Sequence, residues 1–92
     1  MVTGEHLHFI IPKYFTPNGD GIKDVFSLRG IEYFDSSEVY IFDRYGKLLA
    51  GSRNQPFFWD GIYNGELMPT SDYWYVIKIN DQKINGHFTL KR

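Results

Sequence analysis

The stretch Tyr73-Trp74-Tyr75-Val76-Ile77-Lys78-Ile79 decides the fold. Side chains alternate along a strand, so Tyr73, Tyr75, Ile77 and Ile79 share one face and Trp74, Val76 and Lys78 the other. The first face is entirely apolar or aromatic. Lys78 brings the second face to water at one end, with Trp74 half-covered at the other. Asn80-Asp81-Gln82-Lys83 then reads as a four-residue hairpin loop, and the chain returns through Gly86 to Phe88-Thr89-Leu90. Phe88 and Leu90 are expected in the core, His87 and Thr89 outside.

The same pattern extends outward from this hairpin. Val39-Tyr40-Ile41-Phe42 and Leu48-Leu49 flank Arg44-Tyr45-Gly46, a second hairpin whose glycine can take positive φ. Asn-Gly, Asp-Gly and similar pairs punctuate the chain, with short β-branched and aromatic runs between them. Strands are expected near residues 7–11, 24–28, 38–43, 47–50, 57–59, 73–79 and 86–90. Four prolines and nine glycines interrupt every window that could carry a helical period. The expectation is an all-β chain, an immunoglobulin-like antiparallel β-sandwich of about seven strands. Residues 1–10 read as a linker or first strand at the front of a domain excised from a longer protein, and residues 11–92 as the domain itself.

Composition narrows the function. In 92 residues there are 17 aromatics, enough to fill a small core, and no cysteine, which excludes disulfides, zinc-thiolate sites and thiol nucleophiles. The formal net charge of −1, with scattered cations, argues against nucleic acid as a partner. No apolar run, neither Phe9-Ile10-Ile11 nor the longer Tyr73-Trp74-Tyr75-Val76-Ile77, approaches the ~18 residues that a membrane-spanning helix needs. Met1-Val2-Thr3-Gly4 lacks the basic and apolar regions of an export signal. Of the histidines His6, His8 and His87, the first two would share a strand face without a third metal ligand nearby, and no glycine-rich phosphate loop precedes a helix. The chain reads as a non-enzyme.

Two segments carry distinctive chemistry. In Phe15-Thr16-Pro17-Asn18-Gly19-Asp20-Gly21-Ile22-Lys23-Asp24, oxygen-bearing residues bunch around glycines. Asn18, Asp20, the Ile22 carbonyl and Asp24 could wrap a calcium ion, with an affinity of about 10⁻⁴–10⁻³ M because only two are carboxylates. The alternative is that Pro17, Gly19 and Gly21 build tight turns whose polar side chains cap the backbone; both readings stay open, and no cofactor is required. The second segment, Trp59-Asp60-Gly61-Ile62-Tyr63-Asn64-Gly65, joins a core tryptophan to two consecutive turns. Exposed contact roles fall to Trp74, to Asp43, Arg44 and Tyr45 at the hairpin apex with Gly46, and to Lys91 and Arg92 after the final strand.

Six blocks then occur in order. They are Phe15–Ile22, Ile41-Phe42-Asp43-Arg44-Tyr45-Gly46-Lys47-Leu48, Trp59-Asp60-Gly61, Asn64-Gly65, Ser71-Asp72-Tyr73-Trp74-Tyr75 and Gly86-His87-Phe88-Thr89-Leu90-Lys91-Arg92. Together, over Ile11 to Arg92, the chain resembles the gliding motility-associated C-terminal domain, the type B sorting domain of the type IX secretion system. Lys23 stands where an Asn is common in that family, which weakens the calcium case, and the 80–83 loop is short for it. The resemblance implies a signal fused behind an N-terminal passenger and read by type IX translocon or shuttle proteins. It would deliver the passenger through the periplasm and across the outer membrane of a Gram-negative bacterium, to the cell surface or the medium. The alternative is a calcium-dependent adhesion or carbohydrate-binding β-sandwich module, resting on the 18–24 oxygens and Trp74; a purely structural spacer is a third.

Overall fold

The long hairpin expected from the 73–90 sequence is the spine of the molecule. The computed structural model describes residues 11–19, 21, 24–28 and 30–92. Among the described residues the strands are β1 (Tyr14–Phe15), β2 (Phe26–Leu28), β3 (Ser37–Phe42), β4 (Leu48–Arg53), β5 (Phe57–Trp59), β6 (Ile62–Tyr63), β7 (Glu66–Leu67), β8 (Ser71–Ile79) and β9 (Gln82–Leu90). A 3₁₀ turn spans Ile31–Tyr33. One sheet has the order β1-β9-β8-β3-β4; β2 pairs with β5 and β6 with β7. The fold is all-β, with two layers enclosing one core, as a β-sandwich.

The predicted alternation holds along the spine. Tyr73, Ile77 and Ile79 are buried, Trp74 and Lys78 exposed, and Phe88 and Leu90 buried on the return strand. Register places Tyr73 opposite Phe88 and Ile77 opposite Ile84, so the inner face is continuous across β8 and β9. The second layer supplies Phe26, Leu28, Phe57 and Trp59, all buried. Phe26 stacks on Phe88 with ring centroids 4.0 Å apart, and Trp59 meets Tyr73 edge-on at 5.3 Å. Burial raises the Tyr73 and Tyr75 hydroxyl pKa values above their ordinary level.

Several boundaries differ from the sequence reading. The loop between β8 and β9 is two residues, not four: Ile79 pairs with Gln82, leaving Asn80 and Asp81 to reverse the chain. Asn80 takes φ +52, a left-handed conformation that asparagine tolerates, and this makes the shorter turn accessible. Two short strands, β6 and β7, arise from the Asn64-Gly65 turn, whose positive φ values of 54 and 82 suit a two-residue hairpin. β1 is also unforeseen, and it runs parallel to β9, pairing Tyr14 with Thr89 and Phe15 with Leu90. A parallel pair needs a long crossover, and here most of the chain lies between the two strands. Of the strand expected at 7–11, residues 7–10, like the linker expected at 1–10, lie outside the described residues; Ile11 is not in a strand.

Two asparagines hold the start of β3 from either side. Asn54 Oδ1 accepts the Ser37 N–H at 2.9 Å while the Asn54 N–H bonds the Ser37 carbonyl at 2.8 Å. Asn80 repeats the exchange with Ser36, at 3.1 and 2.8 Å. Both asparagines are left-handed, which turns side chain and amide toward the same neighbour.

The core makes a direct prediction. Trp59→Ala should cost about 3–5 kcal/mol in urea unfolding, because the indole is buried and its N–H bonds the Ile62 carbonyl. Phe58→Ala, one residue away on a side chain 61% exposed, should cost less than about 0.5 kcal/mol.

Candidate functional site

The end of β9 is held in place by a seat that the Trp59-Asp60-Gly61 turn shapes. Asp60 Oδ1 accepts the Ile62 N–H at 3.1 Å, closing a local turn in which Gly61 has φ +82 and is buried. The Gly61 carbonyl accepts the Met68 N–H at 2.8 Å and Nη2 of Arg92 at 2.9 Å. Arg92 Nε donates to the Met68 carbonyl at 2.6 Å, and the Arg92 N–H to Thr70 Oγ1 at 2.8 Å. On the other side, Lys91 N–H bonds the Phe15 carbonyl at 3.0 Å and Thr89 N–H bonds the Lys13 carbonyl at 2.9 Å. A methyl group on Gly61 would lie 2.9 Å from Leu90 Cδ1 and 3.0 Å from Arg92 Nη2. Glycine is thus required twice, for its φ and for room.

The structure separates the two cations that sequence grouped. Both are exposed, but Arg92 turns its guanidinium onto carbonyl groups of the fold, whereas the recorded bond of Lys91 is made by its backbone N–H. Arg92 is a fastening of the last strand, and Lys91 the cation presented to the surroundings.

A second feature adjoins this seat. Asp43 Oδ1 accepts the N–H groups of Tyr45 at 2.8 Å and Lys47 at 2.9 Å. The hairpin is closed further by Asp43 N–H to the Lys47 carbonyl and Gly46 N–H to the Asp43 carbonyl, both 3.0 Å. Gly46 has φ +85, as expected. Arg44 and Tyr45 project from this closed loop, the guanidinium 5.4 Å from the tyrosine ring centroid, and Tyr45 is 82% exposed. Between this hairpin and the chain at 68–71 lies a cleft of about 350 Å³. Asp43, Arg44 and Tyr45 line one side, Met68, Pro69, Thr70 and Ser71 the other, and Tyr73 completes it. The Tyr73 hydroxyl donates to the Pro69 carbonyl at 2.7 Å. Sequence reading singled out one side of this cleft and missed Met68, Pro69 and Thr70. The available signal was a proline with a polar run between two hairpins.

Trp74 is not part of the cleft. Strand alternation sends it to the opposite face from Tyr73, where it lies across from His87, ring centroids 6.2 Å apart, and from Phe42 on β3. With Leu48 opposite Phe42 on β4, these four form one row across the outer sheet face. On the inner face, Tyr75 covers Gly86: a methyl group there would sit 2.5 Å from the phenol oxygen.

In the 15–24 segment, Asn18 N–H bonds the Thr16 carbonyl at 2.8 Å, a tight turn centred on Pro17, and Gly19 and Gly21 both have φ +81. Asp24 accepts the Gly19 N–H on Oδ1 at 3.0 Å and the Gly21 N–H on Oδ2 at 2.7 Å. Asp20 and Ile22, two of the four residues in the calcium reading, lie outside the described residues.

Two predictions follow from these bonds. Gly61→Ala should destabilise the fold by about 1–3 kcal/mol, measured by urea unfolding, from positive φ and the contact with Leu90. Asp24→Ala should remove about 1–2 kcal/mol, seen as a fall of roughly 5–10 °C in Tm. Saturating calcium should leave the wild-type melt in place if the segment is a capped turn. A calcium-dependent rise that Asp24→Ala abolishes would instead show that these oxygens hold an ion.

Comparison with curated proteins and with solved structures finds no match to this chain. Comparison with protein families matches the CHU_C type IX secretion signal domain over residues 9–90. That span takes in the 15–24 turn, the Arg44 hairpin, the Gly61 seat and the spine up to Leu90. The chain belongs to the type IX secretion signal domain family.

Proposed function

We propose that this domain is the address by which a passenger fused ahead of it crosses the outer membrane of a Gram-negative bacterium. Type IX translocon or shuttle proteins would read it, and the passenger would finish on the cell surface or in the medium. The observation that carries this reading is the family match over nearly the whole chain. The geometry is in keeping with it. A signal read by proteins needs a surface of fixed shape, and here the final strand is tied to β1 on one side and to the Gly61 turn on the other. The work of such a domain is recognition, and no reaction is assigned to it.

The test fuses the full chain behind a periplasmic reporter and expresses it in type IX-competent cells and in cells lacking the translocon. The reporter should reach the surface or medium in the first and stay periplasmic in the second. Equal export in both strains, or retention in both, would overturn the reading. Arg92→Gln, which loses the guanidinium bonds to Gly61 and Met68, should reduce export while the domain stays folded by circular dichroism.

A further inference from the structure

We infer that the cleft between the Arg44 hairpin and residues 68–71 is a docking site for an acidic, extended segment of a partner protein, with Arg44 binding a partner carboxylate. The inference rests on the sorting reading, because it names the chemistry of the partner that reads the signal.

The hydrogen-bonding inventory of the cleft decides the sign of its ligand. Four of its acceptors already hold donors from the fold. The Pro69 carbonyl takes the Tyr73 hydroxyl, the Met68 carbonyl takes Arg92 Nε, and Thr70 Oγ1 takes the Arg92 N–H. Asp43, the acidic residue in the lining, holds two backbone N–H groups on Oδ1. Beside the second Asp43 oxygen, the cleft offers donors: the hydroxyl hydrogen of Thr70 and the guanidinium of Arg44, whose several N–H groups are not exhausted by its side-chain hydrogen bond to Tyr45. Arg44 lies over the Tyr45 ring, and no salt bridge to it occurs among the described residues. The ring's π-face attracts the cation without supplying the carboxylate that a guanidinium fork binds best. Within the lining Arg44 and Asp43 carry opposite charges, and Arg92, seated next to the cleft, adds a positive charge at its edge. A donor-rich pocket with a surplus of positive charge selects an anion.

Size and surroundings select a peptide. About 350 Å³ accommodates one or two side chains. Met68, Pro69 and the Tyr45 ring give apolar walls on both sides of the charged point. Tyrosine and arginine presented together on a stiff loop are what concentrated binding energy at protein interfaces is made of. The Asp43 bonds fix that loop before any partner arrives, so little conformational freedom is left to lose on binding.

The experiment places a benzophenone amino acid at Tyr45 of the reporter fusion in secretion-competent cells and maps the irradiated adduct by mass spectrometry. The expected adduct joins position 45 to a partner peptide carrying Asp or Glu within a few residues of the link. Arg44→Glu should reduce its yield roughly tenfold or more, the scale of one lost charge-assisted pair, and Arg44→Lys should retain a measurable part. No adduct from position 45, an adduct unaffected by Arg44→Glu, or a linked peptide without a carboxylate would each overturn the inference. An adduct obtained only when the probe replaces Trp74 would also overturn it, by moving docking to the outer sheet face. Export of the unsubstituted fusion is followed in parallel. Normal export with no position-45 adduct sinks the cleft alone, whereas translocon-independent export sinks the sorting reading itself.

Discussion

Phe88 is the interaction around which the structure is organised. Its ring lies 4.0 Å from Phe26 of the second layer, 6.0 Å from Phe15 of β1 and 6.1 Å from both Trp59 and Tyr73. One side chain on the return strand of the spine therefore meets rings from β1, β2, β5 and β8. A chain of this length has little surface to bury, and a fully buried phenylalanine contributes on the order of 2–3 kcal/mol. Clustering five aromatic rings at one point is how this domain holds two layers together without a disulfide.

The spine was legible because its code is local. Alternation along 73–79 and 87–90 needs only neighbouring residues to state which side is inside, and that assignment stands. Boundaries were less legible where they depend on partners far along the chain. Tyr14–Phe15 becomes a strand only because Thr89 and Leu90 lie next to it, and no pattern within two residues can announce that. The true β8–β9 turn was hidden by a related effect. Asn80 adopts its left-handed geometry in concert with Ser36, 44 positions earlier, so the turn's length is partly a tertiary property.

The candidate site was half visible for the same reason. Asp43, Arg44 and Tyr45 stand at a hairpin apex that alternation and one glycine define. Met68, Pro69 and Thr70 enter the cleft through the fold of the β6–β7 hairpin and through Arg92, to which sequence reading gave an exposed contact role and no bond to the fold. The Trp59-Asp60-Gly61 string was read as core and turn. Its added role, offering a carbonyl to a guanidinium 31 positions later, requires knowing where the chain returns.

The seating of Arg92 has a consequence for timing. Its partners are the Gly61 and Met68 carbonyls and Thr70 Oγ1, while its neighbour Lys91 leans on Phe15. The Phe15 contact closes only once β1 and β9 have met, and the Arg92 contacts once β9 has reached residues 61–70; contacts between remote stretches close late because the loop entropy must be overcome first. The shape around the end of β9 is therefore a property of the assembled domain: an unfolded chain of the same sequence has every one of these groups but not their arrangement.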